Sequence, residues 1–445
     1  MSQSRVAHHA VLTFATMVVT TLIGIASRIL LTRGLGPDGL GQYTGIVLLP
    51  LFSVAFLNLG INVSAVHLVG SGRLSPREAS SVAFSVPLLT SLIAVPILAL
   101  LAPALSSRYL DGAPVLALRV TLLALPAMLL ASCAGGVLQG LGRLRAYNAI
   151  SLAGPVLSLL VLVVATLSGG VRLGSALTAW LVLQIAAAVV AVVLLARQTG
   201  LRLIPDRAAA GAMLRLGVLP YAANTLGLAS RRVDSVLLLA FLGTHALGLY
   251  SLATAMAELF WFAASAASIA LAPEVARRGK DDKGALTAAT SRMVLIVMGA
   301  SLLAWLVVDR RLIALLFGAS FVPAAVPLRA LFPAIVAASV EKVIVGDLTG
   351  RGTLWVAPVS ALLAFGVSAA GTVLLVPSFG PVGAAAASSA GAVAAAILTL
   401  WLYSRLYGQS WRALLIPRVQ DVAAAARAIR AMPPFSRRAP TPEAS

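Results

Sequence analysis

The sequence predicts an all-α polytopic membrane protein of about 12 transmembrane helices, arranged as two parallel six-helix lobes. The chain of 445 residues is 60% hydrophobic and only 11% charged, with a mean hydropathy of +0.99, whereas soluble chains carry about 25% charged residues. Its apolar runs reach the roughly 20 residues that a helix needs to cross a bilayer. They are continuous, without the period-two alternation of a transmembrane barrel. Finally, motifs recur in the same order in both halves.

The repeated motifs predict a tandem duplication. Gly-Ile-Ala-Ser-Arg at 24–28 is echoed by Gly-Leu-Ala-Ser-Arg at 227–231. The glycine-containing motif at 35–43 returns at 242–250, and Leu-Pro-Ala at 125–127 matches Phe-Pro-Ala at 332–334. We expect Arg28 and Arg231 to occupy equivalent places. Transporters built from repeats bind substrate where the repeats face each other and rock one against the other, so the duplication favours a transporter.

The apolar runs predict twelve spans in order along the chain. The first is expected to be a retained helix, because its apolar run at 11–31 exceeds the 7–15 residues of a secretory h-region. The spans are predicted at 11–32, 41–66, 81–106, 114–138, 147–169, 174–196, 214–242, 246–272, 289–308, 324–347, 354–376 and 381–407.

Basic residues in alternate loops predict the orientation. One side collects 22 Arg and Lys residues and the other only seven. Because basic loops remain in the cytoplasm, both termini are expected to be cytoplasmic, and an even number of spans per half makes the repeats parallel. The side with seven comprises Arg33, Arg108, Arg119, Arg172, Arg310, Arg311 and Arg329.

These boundaries divide the chain into four predicted parts. They are an N-terminal six-helix lobe at 1–197, a cytoplasmic linker at 198–213, a C-terminal six-helix lobe at 214–407 and a basic cytoplasmic tail at 408–445. The Ala/Arg stretch at 418–432 fits either an amphipathic helix on anionic lipid or a solvated basic tail.

Composition argues against an enzyme and against nucleic-acid binding. The chain has no P-loop, and its four histidines have no metal-ligand spacing with acids or with Cys133, its only cysteine. We therefore expect no cofactor, no metal and no catalytic residues. The net charge of +19 is scattered between apolar spans instead of forming a basic face.

Ionisable residues inside the spans are the candidate site, because each costs about 2.5–3.5 kcal/mol at a helix centre. Arg231 and Asp234, at i,i+3, are expected to neutralise each other partly. Arg232 points about 100° away and lacks that partner. Arg28 either faces a cavity or extends to the outer interface. The set comprises Arg28, Arg231, Arg232, Asp234, Glu258, Glu341, Lys342 and Asp347.

The remaining candidates leave alternatives open. Glu258 is either a proton or cation site or a carboxyl held neutral by burial. Glu341 and Lys342 are expected to form structural ion pairs across the lobe interface. Asn58 and Asn62 either hydrogen-bond sugar hydroxyls or join helices. Arginine outnumbers the neighbouring acids, and a guanidinium binds phosphate in a bidentate manner, so an anionic ligand is predicted.

Short motifs follow one another in a specific order over about residues 1–407. They are Ser27-Arg28, the motif at 35–43, Asn58-Leu59-Gly60-Ile61, Arg231-Arg232-Val233-Asp234, Leu247-Gly248-Leu249-Tyr250, Pro273-Glu274-Val275-Ala276 and the Gly-Pro-Val-Gly-Ala-Ala run at 380–385. In these motifs the chain resembles the polysaccharide transporter family of the multidrug/oligosaccharidyl-lipid/polysaccharide exporter superfamily. Asn58 departs from the family, whose members often carry an acid before Leu-Gly.

The resemblance implies a V-shaped pair of lobes around a central cavity in the bacterial cytoplasmic (inner) membrane. It implies a flippase that moves undecaprenyl-diphosphate-linked oligosaccharide to the outer leaflet for O-antigen or exopolysaccharide biosynthesis. The expected partners are the lipid-linked oligosaccharide, membrane lipid and polysaccharide polymerase machinery. A cation-coupled multidrug exporter and a lipid II flippase are the alternatives within this fold, although lipid II flippases usually have two more spans. A non-transporting scaffold is disfavoured by the costly intramembrane arginines.

Overall fold

The computed structural model describes residues 3–200, 204, 206–278, 284–416 and 418, with side chains described except at 3–14, 219, 220, 222–224 and 262–278. The described part is helical and contains no strand. Its helices are α1 Gln3–Leu57, α2 Ile61–Gly70, α3 Pro76–Tyr109, α4 Val115–Leu122, α5 Ala124–Gly140, α6 Leu144–Leu167, α7 Leu173–Thr199, α8 Arg207–Ser230, α9 Val233–Arg278, α10 Ala285–Phe317, α11 Ala325–Ala330, α12 Phe332–Gly350, α13 Val356–Tyr407 and α14 Trp411–Leu415. A 3-10 turn, Ala319–Ala324, precedes α11.

Three of the longest helices are interrupted by a glycine with positive φ. Gly36 in α1 has φ 64°, Gly243 in α9 has φ 74° and Gly380 in α13 has φ 59°. Glycine adopts such angles without a Cβ clash. An uninterrupted helix as long as α1 would reach about 80 Å, far beyond a hydrocarbon core about 30 Å thick. The glycines therefore divide each long helix into two segments.

The predicted fold class is confirmed, although the number of spans stays a prediction. In the part of the chain described, eight helices are long and apolar enough to cross a membrane, or nine if the pair at 319–330 and 332–350, bent by 51°, counts as one span. The turns at Gly36, Gly243 and Gly380 each join two predicted spans into one continuous helix. This is why length and composition alone give fewer spans than twelve.

Backbone breaks recur between the halves at nearly constant separation. Gly36 and Gly243 lie 207 residues apart, and Gly142 and Gly352, both with positive φ, lie 210 apart. On the register of the two kinks, Arg28 corresponds to Ser235. On this count the two arginines differ by four residues, about one helical turn. Only the second arginine lies at a helix break, between α8 and α9, so their equivalence stays a prediction.

The connection between the halves is shorter than the predicted linker, since α8 begins at Arg207. Asp206 caps the helix by accepting a hydrogen bond from the Ala209 N–H at 3.0 Å. Ala209 and Met213 pack in a buried cluster with N-terminal residues that include Cys133. The first turns of α8 therefore pack against the N-terminal half.

The two halves meet at one end through a contact that we call the glycine gate, formed by Pro37, Gly41, Thr244 and Gly248. A Cβ placed on Gly41 would lie 1.7 Å from the Thr244 carbonyl oxygen. A Cβ on Gly248 would lie 1.9 Å from the Pro37 carbonyl oxygen. Because these pairs exchange places between the repeats, the contact is self-complementary, like an interface on a two-fold axis.

Polar contacts reinforce the glycine gate. Asp111, in the loop after α3, accepts hydrogen bonds from the Thr244 N–H at 3.0 Å and the Thr244 hydroxyl at 2.6 Å. These bonds lower the pKa of the Asp111 carboxyl below its usual value. His245 Nδ1 lies 3.0 Å from an Asp38 carboxylate oxygen. The Arg33 guanidinium also donates to the Leu315 and Leu316 carbonyls at the end of α10.

Candidate functional site

A cavity of about 690 Å³ lies among α8, α9, α12 and α13. Its wall includes Arg231, Glu258 and Lys342. Arg231 sits in the break that separates α8 from α9, where successive N–H groups donate to carbonyls three residues earlier. This tight turn replaces a full helical turn and presents two consecutive arginines beside the cavity.

Arg232 forms an ion pair that its local sequence did not predict. Its guanidinium lies 2.9 Å from a Glu258 carboxylate oxygen. The two residues lie 26 positions apart, on opposite sides of the turn at Gly243. Because that turn folds α9 back on itself, Glu258 reaches Arg232. Arg232 thus takes its acidic partner from the far side of that turn and not from Asp234, as its position on the helix predicted.

Glu258 is the carboxylate around which four cations gather. It interacts electrostatically with Arg28, Arg231 and Lys342 in addition to its pair with Arg232. We call Arg28, Arg231, Arg232 and Lys342 the cationic cluster.

The N-terminal half contributes Arg28 to the cationic cluster. Its side chain is half-buried and also interacts with Tyr43. Of the two predicted positions of Arg28, these interactions favour the one inside the bundle. Lys342 packs with its ammonium 5.6 Å from the centre of the Trp261 ring. The cluster thus joins α1 of one half to α9 and α12 of the other.

Asp234 does not pair with Arg231, so the predicted i,i+3 interaction was wrong. The buried Asp234 carboxylate accepts hydrogen bonds from the Tyr250 and Ser388 hydroxyls at 2.5 Å each and from the Ser235 N–H at 2.6 Å. Asp234 begins a new helix after the break, and its carboxylate is already saturated by donors from α9 and α13. It cannot then hold Arg231 in place.

Glu341 does not form the expected pair across the lobe interface within the described residues. Glu341 accepts hydrogen bonds from the Ser360 hydroxyl at 2.7 Å and the Thr399 hydroxyl at 3.4 Å, both on α13. Asp347, also buried, pairs with Arg351 one turn along at 2.8 Å. The expectation failed because α12 packs against α9 and α13 of its own half.

The two asparagines are placed differently. The buried Asn58 amide donates to the Ser132 hydroxyl at 3.0 Å, which joins the end of α1 to α5. Its interhelical role is thus realised. The Asn62 side-chain oxygen accepts the Val63 N–H at 2.8 Å, and Asn62 lines a separate cavity in the N-terminal half. Neither asparagine lines the cavity that Arg231 lines.

Three residues around the charges were not predicted as site residues from the sequence. They are Trp261, Tyr250 and Ser388. Tyr250 had a signal, because it ends the second copy of the motif whose first copy ends at Tyr43. Ser388 lies in an Ala/Ser/Gly run that gave no distinguishing signal. In the residues described, no three His, Cys, Asp or Glu side chains are grouped as metal ligands.

Charged side chains inside an apolar bundle are costly and are associated with substrate or ion pathways, which gives this multi-pass membrane protein a candidate transport site. A family model described as polysaccharide biosynthesis protein matches residues 30–326. The chain belongs to this family. No curated protein matches it by sequence.

Solved transporter structures share the fold. The lipid II flippase MurJ, in an inward closed conformation, superposes with a TM-score of 0.75 at 11% identity, covering 95% of this chain and 90% of MurJ. An inward-facing multidrug resistance MATE family transporter gives 0.72 at 16% identity, covering 90% and 98%. A MOP superfamily transporter from Pyrococcus furiosus, described as having a binding pocket of reversed polarity, gives 0.56 at 15% identity, covering 89% and 94%. These neighbours are described as a flippase and as transporters.

Proposed function

We propose that the chain is a flippase that moves undecaprenyl-diphosphate-linked oligosaccharide repeat units across the bacterial cytoplasmic membrane by alternating access. The observation that carries the proposal is the cationic cluster, in which four cations share Glu258. A diphosphate offers several acceptor oxygens to guanidinium forks. Membership in a polysaccharide biosynthesis family supports an oligosaccharide as the rest of the cargo.

In the proposed mechanism the structure corresponds to the loading state. The closed glycine gate lies at the end that the basic-residue asymmetry assigns to the periplasm. The diphosphate enters from the cytoplasmic side and displaces Glu258 from Arg232, while the prenyl chain stays in lipid. Because Arg28 belongs to one half and the other cations to the second, the bound diphosphate bridges the halves. Their rocking then opens the gate and releases the cargo outward.

The Arg231 side chain provides the test, with glycan display at the cell surface as the readout in a strain that lacks its own flippase. Hydrogen bonds to charged groups contribute about 1.5–3 kcal/mol, so Arg231→Ala should lower display by roughly 10- to 100-fold. Arg231→Lys keeps the charge without the fork and should retain partial display. Arg311→Ala, at an exposed position predicted to be periplasmic, is the matched control.

Normal display by a membrane-inserted Arg231→Ala protein would contradict the diphosphate role. If lipid II is the cargo, the protein should instead restore growth to a strain that lacks its lipid II flippase. The likeness to MurJ supports this alternative. Resistance to organic cations without glycan display would favour the multidrug exporter.

A further inference from the structure

The N-terminal half contains a second cavity, of about 800 Å³, whose lining has no Arg, Lys, Asp or Glu. It lies between α2, the second half of α5 and the first turns of α6. The polar lining comes from amide, imidazole, phenol and hydroxyl groups. This chemistry differs from that of the cationic cluster and suits an uncharged ligand rich in hydrogen-bonding groups.

Several of these polar groups are available to a ligand. Within the described residues, the His67 imidazole, the Gln139 amide and the Tyr147 hydroxyl make no hydrogen bond to protein. Asn62 uses its oxygen on the Val63 N–H and leaves its NH₂ group. Amides and hydroxyls can match the mixed donor and acceptor pattern of sugar hydroxyls. The Tyr147 ring adds an apolar surface with a polar edge.

The wall that carries Asn62 is held by close helix packing. A Cβ on Gly136 would lie 2.4 Å from the Asn62 carbonyl oxygen, and one on Gly140 would lie 2.9 Å from the Ala65 carbonyl oxygen. The four-residue spacing of these glycines lets α2 lie directly against α5. The lining is therefore formed before a ligand binds, which lowers the ordering cost of binding.

The cavity is placed where the glycan of a bound lipid-linked substrate would extend. Arg73 and Arg143 in the loops beside it, and Arg145 in the first turn of α6, lie on the side that the basic-residue asymmetry assigns to the cytoplasm. Gly60, just before α2, touches Gly217 of α8. Along α8, Gly217 lies about 21 Å from Arg231. A chain of several sugar rings can span this distance from the cationic cluster toward the end assigned to the cytoplasm.

We propose that this N-terminal cavity is a glycan subsite that binds neutral sugar residues of the lipid-linked oligosaccharide while the cationic cluster binds its diphosphate. The inference rests on the proposed flippase function. Since no cationic side chain lines the cavity, it selects neutral sugars over acidic ones. Gln139, Tyr147 and His67 donate to or accept from the sugar hydroxyls.

The test compares two soluble probes on the purified full chain in nanodiscs, farnesyl diphosphate and farnesyl diphosphate carrying a neutral disaccharide. Two lost hydrogen bonds weaken binding by about tenfold. The Gln139→Leu/Tyr147→Phe double variant should therefore bind the glycosylated probe about tenfold more weakly than the parent and bind the bare diphosphate equally well. Tyr109→Phe removes the same hydroxyl from a tyrosine that lines neither cavity, and should bind both probes as the parent does.

The outcomes separate the subsite from the flippase itself. Failure of the parent to bind either probe, or normal diphosphate binding by Arg231→Ala, contradicts the proposed function. Diphosphate binding that the disaccharide does not tighten, or a double variant that behaves as the parent toward both probes, overturns the glycan subsite alone. A uronic acid disaccharide that binds more tightly than the neutral one overturns the selection for neutral sugars.

Discussion

At the residue scale, the central feature is the imbalance of charge around Glu258. Arg28, Arg231 and Lys342 all interact with this carboxylate, which already pairs with Arg232. Asp234 also interacts with Arg232, and Glu341 with Lys342. Three carboxylates still cannot neutralise four cations, so the cluster retains positive charge for an anion. We infer that Glu258 limits the affinity of the empty site and thereby permits release.

Replacing Glu258 with glutamine should strengthen anion binding. The change removes the competing charge, and a charge about 4 Å away is worth about 1 kcal/mol in water-like surroundings, so pyrophosphate should bind about fivefold more tightly. Isothermal titration at low and high salt measures the effect, which should shrink with salt. Glu78→Gln, at a capping box on α3 outside the cavity, should leave binding unchanged. Weaker binding by Glu258→Gln would contradict the competition.

Asp111 makes the closed gate sensitive to acid. Its pKa is lowered because the Thr244 hydroxyl and N–H donate to the charged form. The stabilisation is fully present above the ordinary carboxyl pKa of about 3.9 and is lost as the pH falls through the lowered value.

Acid should therefore open the gate. Spin labels at Ser107→Cys and Arg310→Cys, exposed positions in the two halves, should move apart below about pH 4. Asp111→Asn should increase this distance already at pH 7, whereas Asp38→Asn in the exposed pair with His245 should have a small effect. If the Asp111→Asn protein shows the parental label distance at every pH, Asp111 does not hold the gate closed.

At the element scale, the repeated glycine motif has a structural cause. Gly36 and Gly243 turn the chain, while Gly41 and Gly248 let the segments after those turns touch backbone to backbone. The geometry of this contact therefore explains why both halves of the chain carry the same glycine motif. A single contact requires both copies because each supplies the glycine that the other approaches.

A side chain at Gly248 should prevent closure. Gly248→Val would place a Cβ 1.9 Å from the Pro37 carbonyl oxygen, and backbone cannot yield as a flexible side chain can. The same spin-label pair should report an open gate, with little glycan display. Gly366→Val is the matched control, because nothing lies within 4 Å of a Cβ there. A closed gate in Gly248→Val would show that the approach of α1 to α9 is dispensable.

The whole molecule combines a closed gate at one end with two cavities of different chemistry toward the other. One cavity lies beside the cationic cluster, and the other is polar without charged side chains. This division fits a cargo with an anionic part and a neutral part. The assignment of the gate to the periplasmic end and of the other end to the cytoplasm comes from the distribution of basic residues.

The topology is open to a direct test. Reporter fusions after Arg207, Lys283 and Ser445 should all report cytoplasm, because 22 basic residues lie on that side against seven on the other. A fusion after Arg310 should report periplasm. A periplasmic signal at Ser445 would contradict an even number of spans and invert the assignment of the gate.

The membrane surroundings, the all-α class, the internal duplication and the family could all be predicted from the sequence alone. These follow from local properties, since apolar runs, motif order and glycine positions can be read without distant contacts. The sequence also identified most of the charged residues that the structure gathers around Glu258. Spacing along the chain predicts partners only within one continuous helix, and this is where it failed for Arg231 and Asp234.

Only the tertiary structure decided which charges meet. The turn at Gly243 folds α9 so that Glu258 reaches Arg232 and Tyr250 reaches Asp234. The packing of α13 then gives Ser388 to Asp234 and Ser360 to Glu341. Ion pairs and hydrogen bonds form over a few ångströms, and those separations are set by how helices remote in sequence pack together.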